Sequence, residues 1–486
     1  MPLVATKIGV SYERPMVIRR LSDLPTPVTG RTAPKISAYE AFRRAHPEFV
    51  EHVIDLRRDW RSRLQKLRDR PRSSQHHDVR RLLRMSSFRT LFAFDALKRA
   101  DRLRHANTQT VEMLASRFDP FSPVEDERVV LRSVTRGPRP RVVQEFGPVR
   151  RMHQLAVDAI LRSLHPPREQ LKLFNGGMPK ALRAIEEAYT DGYTHCCEVD
   201  FVNFYGSVRL EGLPELMRPL PLSVTQHVVW DLSSREPISW MNGSMPTSEM
   251  PGGLSLGSAT SPIVGEIIIS HLLAAAQLSD VISYADNLLV LGRSEGEVQA
   301  RINRLRDCIA SADPGISGLR FGDFEIQSME REVFFSSHVG EPNDGAFQWS
   351  PSQRKLEDFM ASARDYVSLD QINRAIAQVS SWRRYYDGWP DGERKEAEFL
   401  ATLMSRRFAL QRTPQNCAAA VSAITDAFVI WEGSRGPEDF MVGYDGSYDP
   451  KDATDAPHHE LLTRVNYRLL VLDRASHRHR IRRATS

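Results

Sequence analysis

Two acids far apart in the chain have the surroundings of metal-binding carboxylates: Asp200 in EVDFVNFYGSV and Asp286 in the tetrapeptide Tyr284-Ala285-Asp286-Asn287. Nucleotidyl transfer needs two divalent ions roughly 3.5 to 4 Å apart, one activating a hydroxyl and one holding the triphosphate and leaving oxygen. Carboxylates shared between the ions are the usual way to hold them. Asp200 closes a stretch rich in β-formers (HCCEVDF), and Asp286 stands where two apolar runs, VIS and LLVLG, would meet in a hairpin. A tight strand-turn-strand puts Asp286 at a tip able to face Asp200. Each acid alone equally suits a cap or an Asx turn, so the chemistry rests on the pair and on what lies between.

Between them runs GGLSLGSATSPIVGEIII, where Gly253, Gly257 and Ser258 form a small-residue loop that passes into an apolar helix at Ser261-Pro262. Proline one residue into a helix is a start signal. Loops of small residues let backbone amides approach a phosphate or a base pair closely, although a plain turn has the same composition.

In this order the three pieces resemble the palm motifs of reverse transcriptases. EVDFVNFYGSV is similar to the first motif, GLSLGSATSP to the second and YADN to the third. The resemblance implies Asp200 and Asp286 as catalytic metal ligands, with the Phe201 carbonyl completing a shell for Mg²⁺ or Mn²⁺. It implies Tyr205 as a steric gate that excludes a ribose 2′-hydroxyl, and Gly257 and Ser258 as shaping the pocket over the incoming nucleotide. Tyr284 and Asn287 are the neighbours of the acid in the third motif. GPRPRVVQEFGPVRRMHQLAVDAIL (137 to 161) resembles a basic fingers segment, with Arg132, Arg136, Arg139, Arg141, Arg150 and Arg151 near triphosphate and template; Arg141 and Arg151 are the leading choices. FNGGMPKALRAIEEAY resembles the block that follows, REVFFSSHVG a primer grip, and LDQINRAIAQVSSWRRYYDGW the helical thumb of group II intron and related bacterial enzymes. On that thumb Arg383, Arg384 and Tyr385 would grip nucleic acid. The resemblance covers about residues 137 to 400.

The chain departs from the family in three places. The third motif carries Asn287 where a second acid is usual, which keeps the shape but loses a charge; a native residue and an introduced one read identically. Ser255-Leu256 replaces the Pro-Gln before the glycine, removing a side-chain amide. No lysine follows in GISGLRFGDFEIQS, where Arg320 is the nearest cation.

The 486 residues suffice for several domains, and 41% hydrophobic residues can build sizeable cores. Cys196, Cys197, Cys308 and Cys417 show no CxxC pairing, which points to a reduced compartment and against structural zinc. The apolar stretch IVGEIIISHLLAAAQL contains Glu266 and His271 and is too short to span a bilayer, and the N-terminus lacks a signal-peptide core. The cytoplasm is the expected location.

Net charge is only +5, from 66 Lys+Arg against 61 Asp+Glu, yet residues 57 to 104 are dominated by arginine, with a break at Pro71. That pattern suits a groove tracking phosphates, and equally a solvated face whose arginines pair with nearby acids. EGEVQARINRLRDCIASA places Val298, Ile302, Leu305 and Ile309 near a 3.6-residue period, predicting a helix packed beneath the palm. AAAVSAITDAFVIWEG predicts one more helix. A long Gly/Asp-rich loop and a basic tail follow it.

The expected architecture is α+β: a right-hand polymerase with fingers, a palm built on an antiparallel sheet, a helical thumb, and helical N- and C-terminal extensions. The expected divisions are 1–125 extension, 126–195 fingers, 196–340 palm, 341–410 thumb and 411–486 extension. The expected activity is RNA-directed DNA synthesis, with an RNA template or non-coding RNA, dNTPs and a DNA product as partners. An accessory protein or a second copy of the chain is a further partner, and no membrane is involved. By family analogy the role is bacterial anti-phage defence. An RNA-binding pseudo-polymerase and a template-independent nucleotidyltransferase are the alternatives.

Overall fold

The computed structural model describes residues 37–433 apart from 101, 128, 136–139, 232–238, 241–252, 312–317, 344–345, 387–388 and 390. It is a mixed helix-and-sheet structure whose strands pair antiparallel except for one short parallel contact. The basic tail and the Gly/Asp-rich stretch lie outside the described residues.

The arginine-rich region folds as α1 (Ala38–Ala45), α2 (Pro47–Arg68), α3 (Arg72–Arg84), α4 (Arg89–Arg99) and α5 (Thr108–Ser116). Ser37 caps α1, Pro47 opens α2, and the expected break falls at Pro71, just before α3. Trp60 on α2 packs edge-on against Phe88 and Phe92 at ring-centroid distances of 4.7 and 5.0 Å. Several arginines are spent within the region: Arg57 on Asp95, Arg58 on Asp55, Arg63 on Asp59, and Arg70 and Arg81 on Asp78. Arg61, Arg68, Arg72 and Arg80 lie exposed on the outer faces of α2 and α3.

β1 (Val130–Thr135) and β2 (Pro140–Glu145) form a hairpin that leads into α6 (Pro148–Leu164) and α7 (Gly177–Thr190). Next come β3 (His195–Asp200), the short helices α8 (Phe204–Ser207), α9 (Leu213–Leu216) and α10 (Leu222–Val224), and β4 (Ser239–Trp240), which lies parallel to β1. The predicted helix after Ser261-Pro262 is α11 (Ser261–Ala275), and the predicted hairpin is β5 (Val281–Tyr284) with β6 (Asn287–Gly292). α12 (Glu295–Ala310) buries Val298, Ile302 and Leu305 as its period required, with Ile309 partly buried beside them.

With β7 (Ile326–Ser328), β3, β5 and β6 make a four-stranded sheet in the order β5-β6-β3-β7. One face carries Cys197, Val199, Leu288 and Val290 into the main core with α11 and α12. The other carries Cys196, Ile282, Leu289 and Leu291 into a second core with Ala181, Leu182 and Ile185 of α7. The N-terminal helices belong to the main core too, continuous through α6 to the sheet.

β8 (Val333–Phe335), β9 (His338–Asn343) and β10 (Ala346–Pro351) form a separate antiparallel sheet, so β9 runs across the expected palm–thumb division at 340. α13 (Gln353–Asp365), α14 (Leu369–Tyr385) and α15 (Gly392–Leu410) bury Phe359, Ile372, Val379 and Phe399 in a core of their own, and α16 (Pro414–Gly433) packs on α15. Among the described residues no helix is long and apolar enough to cross a membrane.

Candidate active site

Strand register brings the two acids together. Asp200, the exposed last residue of β3, pairs directly with Asn287, the first residue of β6. Asn287 pairs in turn with Tyr284, so Ala285 and Asp286 alone make the turn. Ala285 takes φ 56°, the left-handed region that a two-residue hairpin needs at its first central position. A non-glycine residue held there costs about 1–3 kcal/mol, which the flanking pairs offset. Residues paired across a ladder share a face. The Asn287 amide therefore stands on the same face as the Asp200 carboxylate, with Asp286 one residue away on the tip.

Phe201 forms an isolated bridge with Phe321, made by Gly322 N–H to the Asp200 carbonyl and Val202 N–H to the Arg320 carbonyl, both at 2.9 Å. Neither bond uses the Phe201 carbonyl. Because Phe201 and Phe321 pack into the main core, alternation puts Arg320 on the face that carries Asp200. Arg320 is exposed there.

Tyr205 follows in α8, and its ring lies against α11: a Cβ on Gly265 would sit 3.6 Å from the ring edge. Burial pushes the Tyr205 hydroxyl up to about 12, with Asp286 and Glu266 adding to the effect. The glycine-rich loop docks on the same turn, Leu254 N–H donating to the Tyr205 carbonyl at 2.8 Å. Gly253 has φ +68°, and a Cβ there would lie 2.3 Å from that carbonyl oxygen. Glycine is required by contact as well as by conformation.

Three residues ahead of the sheet hold the far side of this loop. Gln144 N–H donates to the Leu256 carbonyl at 2.7 Å, Arg151 Nη1 donates to the Gly257 carbonyl at 2.9 Å, and Gln154 Oε1 accepts from Ala259 N–H at 3.1 Å. Gly257, at φ +106°, would place a Cβ 2.2 Å from the Gln144 carbonyl. The Ser258 hydroxyl is buried at 2.9 Å from the Thr260 hydroxyl. Arg151 thus touches the loop predicted to bind nucleotide. Burial, then the nearby Arg99 charge, lowers its affinity for its proton.

Arg150, expected beside Arg151 at the triphosphate, is instead an internal clamp. It is buried against Asp231, donates to the Val124 carbonyl, and sits at an α6 N-terminus capped by the Glu127 carboxylate at 2.8 Å from both Val149 and Arg150 N–H. The backbone of Arg141 pairs with Val134 in the hairpin, but its side chain and that of Arg132 lie outside the description, as do Arg136 and Arg139 altogether. On α14, Arg383 approaches Glu396 at 3.7 Å, and the side chains of Arg384 and Tyr385 are likewise outside the described residues.

Sequence reasoning passed over three residues that the structure puts at the site. Glu198, two residues before Asp200 on the same face, accepts from Ser336 N–H at 2.7 Å. Lys172 pairs its backbone N–H with the Ser283 carbonyl at 2.8 Å, next to the hairpin that carries Asp286. Gln154 is the third, through its bond to the loop. The helical period of α6 marks Gln154 only as one polar residue on a buried face; Glu198 and Lys172 gain their places from long-range pairing.

Among the described residues no group of three or more His, Cys, Asp or Glu side chains forms a metal cage. Asp200 and Asp286 offer carboxylate oxygens at this edge, beside the Asn287 amide. That set suits Mg²⁺ or Mn²⁺, which commonly take one or two carboxylates and leave other positions to water and phosphate.

No family model matches this chain, and no curated protein matches it. Among solved structures it is similar to the RNA-dependent RNA polymerase of a human picobirnavirus, at 14% identity and a TM-score of 0.35. The match covers 62% of this chain and 60% of that one, so this chain spans less than two thirds of the viral enzyme's length.

Proposed function

We propose that the protein is a nucleotidyltransferase of the reverse-transcriptase kind, adding deoxynucleotides to a 3′ end on an RNA template. The observation that carries this reading is the register pairing Asp200 with Asn287 beside Asp286, with the glycine-rich loop docked on Tyr205. In this scheme Asp200, Asp286 and the Phe201 carbonyl hold Mg²⁺ or Mn²⁺, which when bound supplies Lewis-acid stabilisation of the transferring phosphoryl group and activates the attacking hydroxyl. Tyr205 selects the sugar by its bulk. Arg151 keeps the Gly257 loop in place against α6, and Arg320 faces the same side as Asp200, where a triphosphate needs a cation. A role in antiviral defence in the bacterial cytoplasm is part of this proposal and rests on the family resemblance.

The test is incorporation by purified protein, comparing each dNTP and rNTP in Mg²⁺ and Mn²⁺ against Asp200→Ala. Deoxynucleotide incorporation that vanishes in the variant supports the proposal; none from the wild-type protein in either metal sinks it.

A second reading is favoured by the amide at Asn287, which leaves two acids where the family has three: a pseudo-polymerase that binds RNA as an assembly subunit. It expects Asp200→Ala to leave RNA binding and biological function unchanged. Charge reversal at Arg141 and Arg151 would then be the damaging change.

A further inference from the structure

Behind the candidate site, α11 carries an acid with nothing to bond. Glu266 is buried, and among the described residues neither of its carboxylate oxygens completes a hydrogen bond. Leu173 N–H comes near enough to favour its charged form but not into bonding geometry. Arg162, the cation that acts on it, is committed elsewhere: its Nε donates to both oxygens of Asp158 at 2.9 and 3.0 Å, and its guanidinium lies 3.6 Å from the centroid of the Phe174 ring. The Tyr205 ring rests on α11 at Gly265, one residue before Glu266, and its hydroxyl bonds to no described residue. That hydroxyl feels the Glu266 charge. A buried acceptor without a donor and a hydroxyl without an acceptor therefore meet at one turn of helix. A carboxylate cannot stay ionised and unpaired in an apolar core: it takes up a proton or draws in a donor. α9 and α12, also packed on α11, bury Leu213, Val298, Ile302 and Leu305 there. Lys172, beside Leu173, answers to Lys180, Glu169 and Glu187 instead, and His271 of α11 lies more than a turn further on. The groups that face Glu266 are thus Arg162 from α6, with Asp158 behind it, and Tyr205 from α8.

We infer that Glu266 is a positioning residue for Tyr205 and so a determinant of the sugar this site accepts: protonated, it leaves the ring on Gly265; ionised, it draws the Tyr205 hydroxyl to itself and tilts the ring away from the carboxylate edge. The inference rests on the nucleotidyl-transfer reading, in which the bulk of Tyr205 excludes a 2′-hydroxyl. Tyr205 is the donor free to move, because Arg162 is held by Asp158 and Phe174. The exchange is a proton lost from the Glu266 carboxyl to solvent and a hydrogen bond gained from the Tyr205 O–H. Burial, only partly opposed by Arg162 and Leu173 N–H, pushes the Glu266 carboxyl up to about 7, so the exchange falls near neutrality. Rejection of ribonucleotides is strong below that pH and weakens above it.

The experiment compares full-length wild type, Glu266→Gln and Tyr205→Phe. Single-nucleotide incorporation gives the ratio of kcat/KM for dNTP over rNTP from about pH 6 to about pH 8, a ratio in which the pH dependence of the chemical step cancels. NMR of ring-labelled tyrosine follows the Tyr205 resonance, assigned by its loss in Tyr205→Phe. In wild type the ratio should fall about tenfold over that range, the scale of one hydrogen bond to a charged group, and the Tyr205 resonance should shift with it. Glu266→Gln should hold a constant ratio near the low-pH wild-type value, because a neutral amide cannot ionise. Tyr205→Phe keeps Glu266 but has no hydroxyl to draw, so its ratio should be constant as well. A wild-type ratio independent of pH overturns the inference, as does a fall of the same size in Glu266→Gln. If wild type incorporates nothing, the catalytic reading fails by itself and the Tyr205 resonance still decides: a shift near pH 7 that is absent in Glu266→Gln upholds the link between the two residues, and no shift overturns it.

Discussion

The two faces of the four-stranded sheet differ in a way that locates the chemistry. The face toward α11 and α12 is apolar across the two central strands, with Cys197, Val199, Leu288 and Val290 all buried in the main core. The opposite face begins apolar with Cys196, Leu289 and Leu291, then turns polar at one end, through Glu198 to Asp200 and Asn287. Because side chains alternate along a strand, one run of six residues supplies both the support and the site. The apolar face fixes the strand's height and tilt. The end of the other face is then free to hold groups that packing alone would disfavour.

The sharpest test of this division is Asp200→Ala. Asp200 is exposed, so the change should leave thermal unfolding within about 0.5 kcal/mol of wild type while reducing incorporation by about a thousandfold or more. A large loss of stability would break the comparison by making Asp200 part of the scaffold. The complementary change is Leu288→Ala, one position along β6 from Asn287 on the buried face. It should cost about 2–5 kcal/mol in urea unfolding, with KM unaltered at temperatures where the protein stays folded.

The helix layer beneath the apolar face contains one acid that tests how dry that layer is. Glu266 on α11 is 3% exposed, and burial pushes its carboxyl up to about 7, Arg162 only partly opposing this. The folded protein holds this proton more tightly than the unfolded chain. The contribution to stability is therefore fully present below the unfolded value near 4.5 and is lost as pH rises through about 7, up to about 3 kcal/mol in all. Glu266→Gln should flatten stability between pH 5 and 8 and unfold later than wild type at pH 8. A wild-type profile with no slope there would mean that water or a partner solvates the carboxylate.

Much of this was legible in the sequence because it depends on local rules. Pro71 marks a break and Ser261-Pro262 a helix start, the period of Val298, Ile302 and Leu305 marks α12, and the runs around Asp286 mark a hairpin. That Asp286 would face Asp200 was legible only as an expectation from motif order; the pairing of Asp200 with Asn287 was not, since register is decided by long-range contacts. Arg150 shows the limit most clearly. In sequence it is indistinguishable from Arg151, yet one is buried on Asp231 and the other reaches the Gly257 carbonyl. One position along a helix turns a side chain by about 100°, and which direction meets an acid depends on residue 231, 81 positions away. Glu198 was passed over for the same reason, its partner lying 138 positions on.

The smallest expected effect separates the two readings of the polar end. Asn287 shares a face with Asp200, so Asn287→Asp adds a carboxylate beside an existing one without touching the buried face. If the edge binds a divalent cation, a third acid strengthens the oxygen field around it, and the metal concentration giving half-maximal incorporation should fall about three- to tenfold. In the absence of metal the same change places two like charges directly across a ladder, which should lower stability by about 0.2–1 kcal/mol. Adding Mg²⁺ should restore that loss, because a cation bound only by the folded state stabilises it by mass action. A variant that is destabilised but not rescued by Mg²⁺ or Mn²⁺ would show that the edge holds no cation. The asparagine would then be the residue that lets the two strands close without one.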